Sequence, residues 1–225
     1  MSHHEAQRYA TAPGPAGSPH PPPRLEAAGI CKRYRRSAVL QDVNLTVYGG
    51  QVAAVIGANG TGKSTFLKIC AGMISPDRGT VSIRGSVGYC PQQPSLLQFL
   101  RPDEHFELFG AAAGAGRDPS RRAGRSLAGA LSWDPAVRTQ ARHLSGGTQQ
   151  KLNLVLSAIG DPDLILLDEP YQGFDHGSYV DFWEWVFRWR SQGRAVVVVT
   201  HMLNSLDRVD TVLDLTHAQT GAGIR

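Results

Sequence analysis

The stretch GANGTGKST, which begins at Gly57, combines glycines, a lysine and hydroxyl side chains at a spacing that suits a bound phosphate chain. Gly57, Gly60 and Gly62 let the backbone curl so that successive N–H groups point inward at phosphate oxygens. Lys63 supplies a positive charge for the β- and γ-phosphates, and the Ser64 hydroxyl is a ligand for Mg²⁺. Because the motif follows an apolar run and opens a helical pattern, it predicts a nucleoside triphosphate site rather than a glycine turn with a chance lysine. The motif residues predicted to contact the nucleotide are Gly57, Asn59, Gly60, Thr61, Gly62, Lys63, Ser64 and Thr65.

Other polar groups follow apolar runs further along the chain. In DLILLDEP, Asp168 stands where a buried strand would end, and ligands bind at this end of the strands in open α/β sheets. An Asp at that point can hold a metal ion through water, and the adjacent Glu169 can orient or deprotonate an attacking water. Thr200 and His201 follow the run AVVVV in the same way, which puts an imidazole within reach of a γ-phosphate. An acidic turn and a surface histidine are the alternatives, and the phosphate loop in the same chain favours the catalytic interpretation.

The stretch HLSGGTQQKL places Ser145, Gly146 and Gly147 just ahead of a helical pattern. Two glycines there cost backbone entropy and leave the N–H groups of the first helical turn without partners. A helix start of this kind is an anion site. The sequence therefore predicts a second phosphate-binding element, and this pattern alone does not say whose phosphate it binds.

Strand and helix patterns alternate from about Leu25 onward and would position these groups. VLQDVNLTV alternates apolar and polar residues as a half-buried strand does, whereas QVAAVIG, DLILLDEP and AVVVVTH are apolar runs typical of strands buried on both faces. GTVSIRG, SVGYC and DTVLDL are shorter strand patterns, and helical patterns cover about 101–156 and VDFWEWVFRWR. The sequence therefore predicts an α/β fold with a helical insert. The last helix carries an apolar stripe, predicted to face the core, of Phe182, Trp185, Val186 and Trp189.

The composition of the 225 residues, 41% hydrophobic and 19% charged, is that of a soluble globular protein with one large domain or a domain with an insert. The net charge of +4 is mild, so it permits a nucleotide, a nucleic acid or an anionic membrane surface as a neighbour. No apolar run is long enough to span a membrane, and no signal segment is expected at the N-terminus. The proline-rich residues 1–23 are predicted to be a disordered tail. Three cysteines without zinc spacing favour reduced, buried thiols.

With these motifs in this order, the chain from about Leu25 to Leu215 resembles an ATP-binding cassette (ABC) ATPase, the nucleotide-binding subunit of an ABC transporter. The resemblance implies a P-loop NTPase fold, in which helices flank a mixed sheet and an antiparallel β subdomain is present. It implies one ABC ATPase domain over 24–225, with a helical subdomain inserted at about 95–158. It also implies ATP and Mg²⁺ as cofactors.

The resemblance assigns further roles residue by residue. Tyr34 is similar to the aromatic residue that stacks on adenine, and Gln92 to the glutamine that touches the metal and water and senses the membrane subunit. Asp175 resembles the aspartate of the loop that crosses the dimer interface. Glu169 resembles the catalytic base, and His201 resembles the switch histidine. The implied catalytic residues are Glu169, His201, Gln92 and Lys63, and the implied metal ligands are Ser64, Gln92 and Asp168.

In this family the LSGG helix start faces the ATP held by a second subunit. Ser145, Gly146 and Gly147 would therefore act in trans, and a homodimer would bury two ATPs at a head-to-tail interface. Thr148 stands where the family usually has a glutamine, and Tyr171 belongs to a loop that usually carries small residues. These departures concern the interface rather than the chemistry.

The resemblance implies a cytoplasmic subunit held at the inner face of the membrane by a separate integral membrane permease, and the run RPDEHFELF resembles that of exporters. The alternative is a soluble ABC-type ATPase acting on nucleic acid, the ribosome or an assembly scaffold. Seven arginines between 101 and 142 would carry nucleic-acid binding, but the acidic residues among them favour a solvated helical face. No direct nucleic-acid partner is therefore expected. A regulator without turnover is a third hypothesis, which Glu169 and His201 disfavour.

Overall fold

The computed structural model describes residues 21–35, 37–135, 138–201 and 206–216. Nearly all of the predicted proline-rich tail lies outside the described residues, as do residues 217–225. In the described parts of the chain, no helix is both long enough and apolar enough to cross a membrane.

Strands and helices follow one another in the predicted order, after a first strand that the sequence patterns did not predict. The strands are β1 (Leu25–Tyr34), β2 (Ser37–Val47), β3 (Val52–Ile56), β4 (Arg78–Ile83), β5 (Val87–Cys90), β6 (Leu164–Asp168), β7 (Ala195–Val199) and β8 (Thr211–Asp214). The helices are α1 (Lys63–Cys70), α2 (Pro102–Ala112), α3 (Arg117–Gly129), α4 (Gly146–Ala158) and α5 (His176–Ser191), with short 3₁₀ turns at Ala141–His143 and Leu206–Arg208.

A five-stranded parallel sheet in the order β5-β6-β7-β3-β8 forms the centre of the fold. Its register aligns the strand ends, because Val199 of β7 lies opposite both Val55 of β3 and Asp168 of β6. The segments that follow these three strands therefore leave the sheet at one edge. These segments are the phosphate loop, the acidic pair of Asp168 and Glu169, and the segment that begins with Thr200.

The apolar core has two parts, one on each face of this sheet. Alternate residues of β6 point to opposite faces, so that Ile165 and Leu167 belong to one part and Leu164 and Leu166 to the other. This two-sided burial explains why β3, β6 and β7 are apolar throughout. The aromatic stripe of α5 is buried as predicted, and large buried aromatic side chains each contribute about 3–5 kcal/mol relative to alanine.

The antiparallel pairing lies in a separate three-stranded sheet of order β2-β1-β4. Helices α2, α3 and α4 follow β5 and precede β6, as the helical pattern predicts. Helices α2 and α3 approach closely at Gly124, where a Cβ atom would overlap the ring of Phe106. Ion pairs join the same two helices, so these arginines are partly neutralised; the pairs are Arg117 and Arg121 with Glu107, and Arg125 with Asp103.

Candidate functional site

The phosphate loop between β3 and α1 holds its shape through glycines in left-handed conformations. Gly62, with φ 99°, stands directly before α1, and a Cβ there would lie 2.7 Å from Cγ1 of Val39. The backbone therefore requires glycine at this position. Helix α1 begins without a side-chain cap and without an acidic residue in its first turn. Its N–H groups and the positive end of its dipole are available to an anion.

Lys63 lies under this loop with 5% of its surface exposed. Its Nζ donates hydrogen bonds to the carbonyl oxygens of Gly57, at 2.8 Å, and Ala58, at 3.1 Å. Within the described ranges no carboxylate forms a salt bridge with it. Burying an ammonium group whose hydrogen-bond acceptors are neutral carbonyls costs free energy, so a phosphate group would be the better partner.

Ser64 and Asp168 form the acidic side of the site, where Ser64 Oγ donates to Asp168 Oδ1 at 3.1 Å. Asp168 is 1% exposed, and burial raises the pKa of this carboxyl although the Ser64 hydrogen bond acts to lower it. A nearby cation would favour the ionised form. A hydroxyl and a carboxylate oxygen are ligands that Mg²⁺ accepts when phosphates complete its shell, so the donor set fits this ion.

Glu169 follows β6 in a left-handed conformation, with φ 45°. For a residue other than glycine this conformation costs on the order of 1–3 kcal/mol, and it is found at functional sites. Glu169 Oε2 accepts hydrogen bonds from Gln92 Nε2 at 3.1 Å and from Gln172 Nε2 at 2.5 Å. His201 Nδ1 lies 3.9 Å from the same oxygen. Two glutamine amides therefore hold one oxygen of the carboxylate that is predicted to act as the base.

These groups surround a cleft of ≈ 410 Å³, within the usual size range for a small-molecule site. The predicted site residues that line it are Tyr34, Asn59, Gly60, Gly62, Lys63, Ser64, Thr65, Gln92 and Glu169. Tyr34 is 48% exposed, so its ring is accessible for stacking on a base. Gly57 and Thr61 shape the loop instead, because Thr61 Oγ1 donates to the Ala58 carbonyl at 2.9 Å and fills the space where a Gly57 Cβ would stand.

The predicted second phosphate-binding element is not part of this cleft. The expectation of a bare helix start is wrong in one respect, since Ser145 Oγ accepts a hydrogen bond from the Thr148 N–H at 3.2 Å and so caps α4. Gly146 is exposed. A Cβ at Gly147 would lie 2.7 Å from the Gly173 carbonyl oxygen, so this helix start packs against the loop that follows β6.

Asp175 lies at the other end of that loop and caps α5, because its Oδ1 accepts from the Ser178 N–H at 2.8 Å. This hydrogen bond lowers the pKa of the Asp175 carboxyl. Asp175 is likewise absent from the cleft lining. Within one chain, the structure thus brings together the phosphate loop, the acidic pair and Gln92, and leaves the LSGG segment and Asp175 outside.

Comparisons with known proteins agree with this arrangement. The profile of the family described as ABC transporter matches residues 40–172, more than half of the chain, from β2 to the loop after Glu169. The chain belongs to the ABC transporter family. An uncharacterized ABC transporter ATP-binding protein of Methanocaldococcus jannaschii is 29% identical over 194 residues, which cover 86% of this chain and 74% of that protein. ATP-binding cassette sub-family A member 7 of Rattus norvegicus is 32% identical over 205 residues, but the match spans only 9% of that protein.

Solved structures of ABC transporter ATP-binding subunits have the same fold. One of them superposes with a TM-score of 0.80 at 28% identity and covers 88% of both chains. A dimeric bacterial ABC transporter cassette also gives a TM-score of 0.80, at 23% identity, over 88% of this chain and 97% of that chain. The predicted α/β fold with parallel and antiparallel sheets is confirmed. This ABC protein is an ATP-hydrolysing, ATP-binding subunit of an ABC transporter.

A second cavity of ≈ 570 Å³ adjoins the nucleotide cleft and shares Ser64 and Gln92 with it. Several exposed apolar side chains belong to the chain segment that ends at Phe109, a residue of the cavity wall. We call the cavity together with these side chains the apolar groove; they are Leu97, Phe99, Leu108 and Phe109. Phe99 is 67% exposed, and Phe109 also lines the cavity. The cavity wall itself also carries polar side chains, among them Lys68, Asn153 and Asp168.

The buried side chain of His105 holds the start of the apolar groove in place. Its Nε2 accepts a hydrogen bond from the Leu97 N–H at 3.1 Å, so Nδ1 carries the proton and donates to the Arg101 carbonyl at 2.9 Å. Burial lowers the pKa of His105 below its ordinary value of 6.5. Protonation would convert Nε2 from an acceptor into a donor and remove the bond to Leu97.

We expect the stability of the protein to fall as the pH drops below 6.5, because the unfolded chain then binds a proton that the folded chain resists. The His105→Gln variant lacks this titration, so its thermal midpoint should decline less between pH 7 and pH 5 than that of the unaltered protein. The same substitution at exposed His143 is the control. Parallel curves for the protein and its His105→Gln variant would contradict the prediction.

Proposed function

We propose that this ABC protein is one of two nucleotide-binding subunits that pair head to tail and drive a separate integral membrane permease, in the direction of export. The observation that carries the proposal is the division of the site. The nucleotide cleft is lined by the phosphate loop, Gln92 and Glu169, and Asp168 is hydrogen-bonded to Ser64 in its wall. The LSGG residues Ser145, Gly146 and Gly147 start a helix outside it. In a pair of copies related by a two-fold axis, the helix start of each copy would reach the cleft of the other.

We propose further that residues 24–225 form one ABC ATPase domain and that about 95–158 form its inserted helical subdomain. The run of helices α2 to α4 between two neighbouring strands of the parallel sheet supports this division. The loop that carries Asp175 packs against the start of α4 through Gly147 and Gly173. Asp175 and the LSGG segment would therefore reach the partner copy together.

In the proposed reaction, the loop N–H groups and Lys63 bind the β- and γ-phosphates and compensate their charge during transfer to water. Glu169 accepts the proton of the attacking water, and His201 lies beside it. Mg²⁺, when bound, neutralises phosphate charge; Ser64 and Asp168 would hold it together with the amide oxygen of Gln92. The Gln92 N–H group already donates to Glu169, which leaves its oxygen for the ion.

The apolar groove is the surface that we propose for the permease. Exposed Phe99 and Leu97 would pack against an apolar face of a cytoplasmic segment of the permease, which would hold the subunit at the inner face of the membrane. The export direction rests on the resemblance of the run RPDEHFELF, which forms most of α2, to exporter subunits.

The test is co-purification of the tagged protein from membranes of the cells that make it, in mild detergent. We expect a protein with several membrane spans to be retained in about equal amount and to raise ATP turnover after reconstitution. Phe99→Asp should release this protein without altering ATP binding by the isolated subunit. Val180→Asp, which changes an exposed apolar residue of α5, should retain it. Recovery without any membrane partner would contradict the proposal and favour the alternative of a soluble ABC-type ATPase.

A further inference from the structure

The loop that follows β6 contains a second glutamine on the proposed base. Gln172 Nε2 donates to Glu169 Oε2 at 2.5 Å, closer than the 3.1 Å of the Gln92 donor. Both amides reach the same carboxylate oxygen. In the part of the chain that the structure describes, no hydrogen-bond donor contacts the other oxygen, Oε1.

This asymmetry fixes how the carboxylate is turned. A carboxylate with free rotation about its last bond presents either oxygen to a water molecule, whereas two donors on Oε2 hold one orientation and leave the lone pairs of Oε1 as the acceptor. A charge-assisted hydrogen bond is also about twice as strong as a neutral one. Gln172 and Gln92 therefore hold the carboxylate more firmly than neutral hydrogen bonds would.

The loop itself is anchored, which makes the position of Gln172 well defined. The neighbouring Tyr171 is buried, and its hydroxyl forms a hydrogen bond of 2.5 Å with Thr200 Oγ1 at the end of β7. Its ring also lies 6.0 Å from that of His201, measured between centroids. Burial raises the pKa of Tyr171 to about 12, so the phenol stays protonated and the hydrogen bond with Thr200 is retained. The loop is closed by a hydrogen bond from the Phe174 N–H to the Tyr171 carbonyl at 3.0 Å.

We propose that Gln172 is a positioning residue for ATP hydrolysis: it holds the Glu169 carboxylate so that Oε1 receives the proton of the attacking water. The inference rests on the proposed role of Glu169 as the base. Gln172 touches neither ATP nor water in this scheme. It acts through Glu169 alone, and this property makes it testable.

The Gln172→Leu variant keeps the approximate side-chain volume and removes the donor. We expect its kcat to fall about tenfold while its KM for ATP stays within about twofold of the original value. Gln172→Glu places a second carboxylate beside the first, so its kcat should require a higher pH. The matched control is Gln192→Leu, at an exposed position just after α5, with unchanged kcat and pH profile.

A double variant separates positioning from a general structural effect. In a Glu169→Gln background the carboxylate is already gone, so adding Gln172→Leu should cause no further loss of the residual rate. The proposal for Gln172 would be overturned if the double variant lost the product of the two single losses in rate. It would also be overturned if Gln172→Leu alone left kcat unchanged. If Glu169→Gln alone leaves turnover unchanged, the proposed base is wrong instead. The two failures are therefore distinguishable.

Discussion

Glu169→Gln is expected to lower ATP turnover by about 100-fold or more while ATP binding is retained. The amide has nearly the shape of the carboxylate but cannot accept the proton of the attacking water, and general-base catalysis contributes about 10²–10⁴-fold. The phosphate loop and Lys63 are untouched by this change, so the dissociation constant for ATP should stay within about threefold of its original value. Phosphate release and equilibrium binding of ATP measure the two effects separately. Glu184→Gln, at an exposed position of α5, is the control.

The same variant tests the proposed pairing of two subunits. Because ATP is bound but not cleaved, Glu169→Gln should accumulate an ATP-bound dimer that sedimentation analysis detects. Adding Gly146→Asp would place a carboxylate at the exposed start of α4, where the partner's γ-phosphate is proposed to lie. This second change should abolish the dimer through repulsion between like charges and leave ATP binding by each monomer intact. A dimer that persists would exclude the head-to-tail arrangement, and unchanged turnover would exclude Glu169 as the base.

Lys63→Ala is expected to weaken ATP binding by about 100-fold or more. Lys63 is buried beneath the loop and would be the main positive charge for the β- and γ-phosphates, and removing one partner of a buried charge pair costs about 2–5 kcal/mol. Titration calorimetry measures the change directly. Lys151→Ala is the control, since this lysine lies over the ring of Phe174 and outside the cleft lining.

Lys63 also supports the loop through the carbonyls of Gly57 and Ala58, so the variant needs a test of folding. The Lys63→Met variant keeps most of the aliphatic chain and loses only the ammonium group. If Lys63→Met unfolds at the same temperature as the unaltered protein and still loses ATP, the charge is responsible. Binding within about threefold of the original in a folded variant would show that Lys63 does not bind the phosphates.

The elements that position the site were predictable because their signals are local. The central strands β3, β6 and β7 are largely apolar since both their faces are buried, and the spacing of Gly57, Gly62 and Lys63 follows from the shape of one loop. The α5 stripe was also predictable, because residues at helical spacing share a face. The edge at which Asp168 and Thr200 meet follows from parallel pairing alone.

The features that sequence analysis missed have no distinctive residue pattern, whether the contacts involved are distant or local. Strand β1 ends in the charged sequence CKRY and has irregular pairing near Gly29, so its position between β2 and β4 has no clear alternating pattern. The hydrogen bond from Gln172 to Glu169 accompanies a left-handed backbone at Glu169, and this backbone conformation cannot be predicted from the residue type. The Ser145 cap was missed because its glycine neighbours suggested an open helix start. The only sequence signal near Gln172 was the unusual loop that includes Tyr171.

Gln92 and Ser64 belong to the walls of two cavities, the nucleotide cleft and the apolar groove. Shared wall residues offer a route by which occupation of one cavity would change the affinity of the other, and such coupling is equal in both directions. If occupation of the groove tightens ATP binding by some factor, ATP must tighten occupation of the groove by the same factor. The membrane component would then change the affinity of this subunit for ATP. ATP would change the affinity of the subunit for the membrane component to the same extent. Gln92 and Ser64, the residues common to both walls, would carry this coupling.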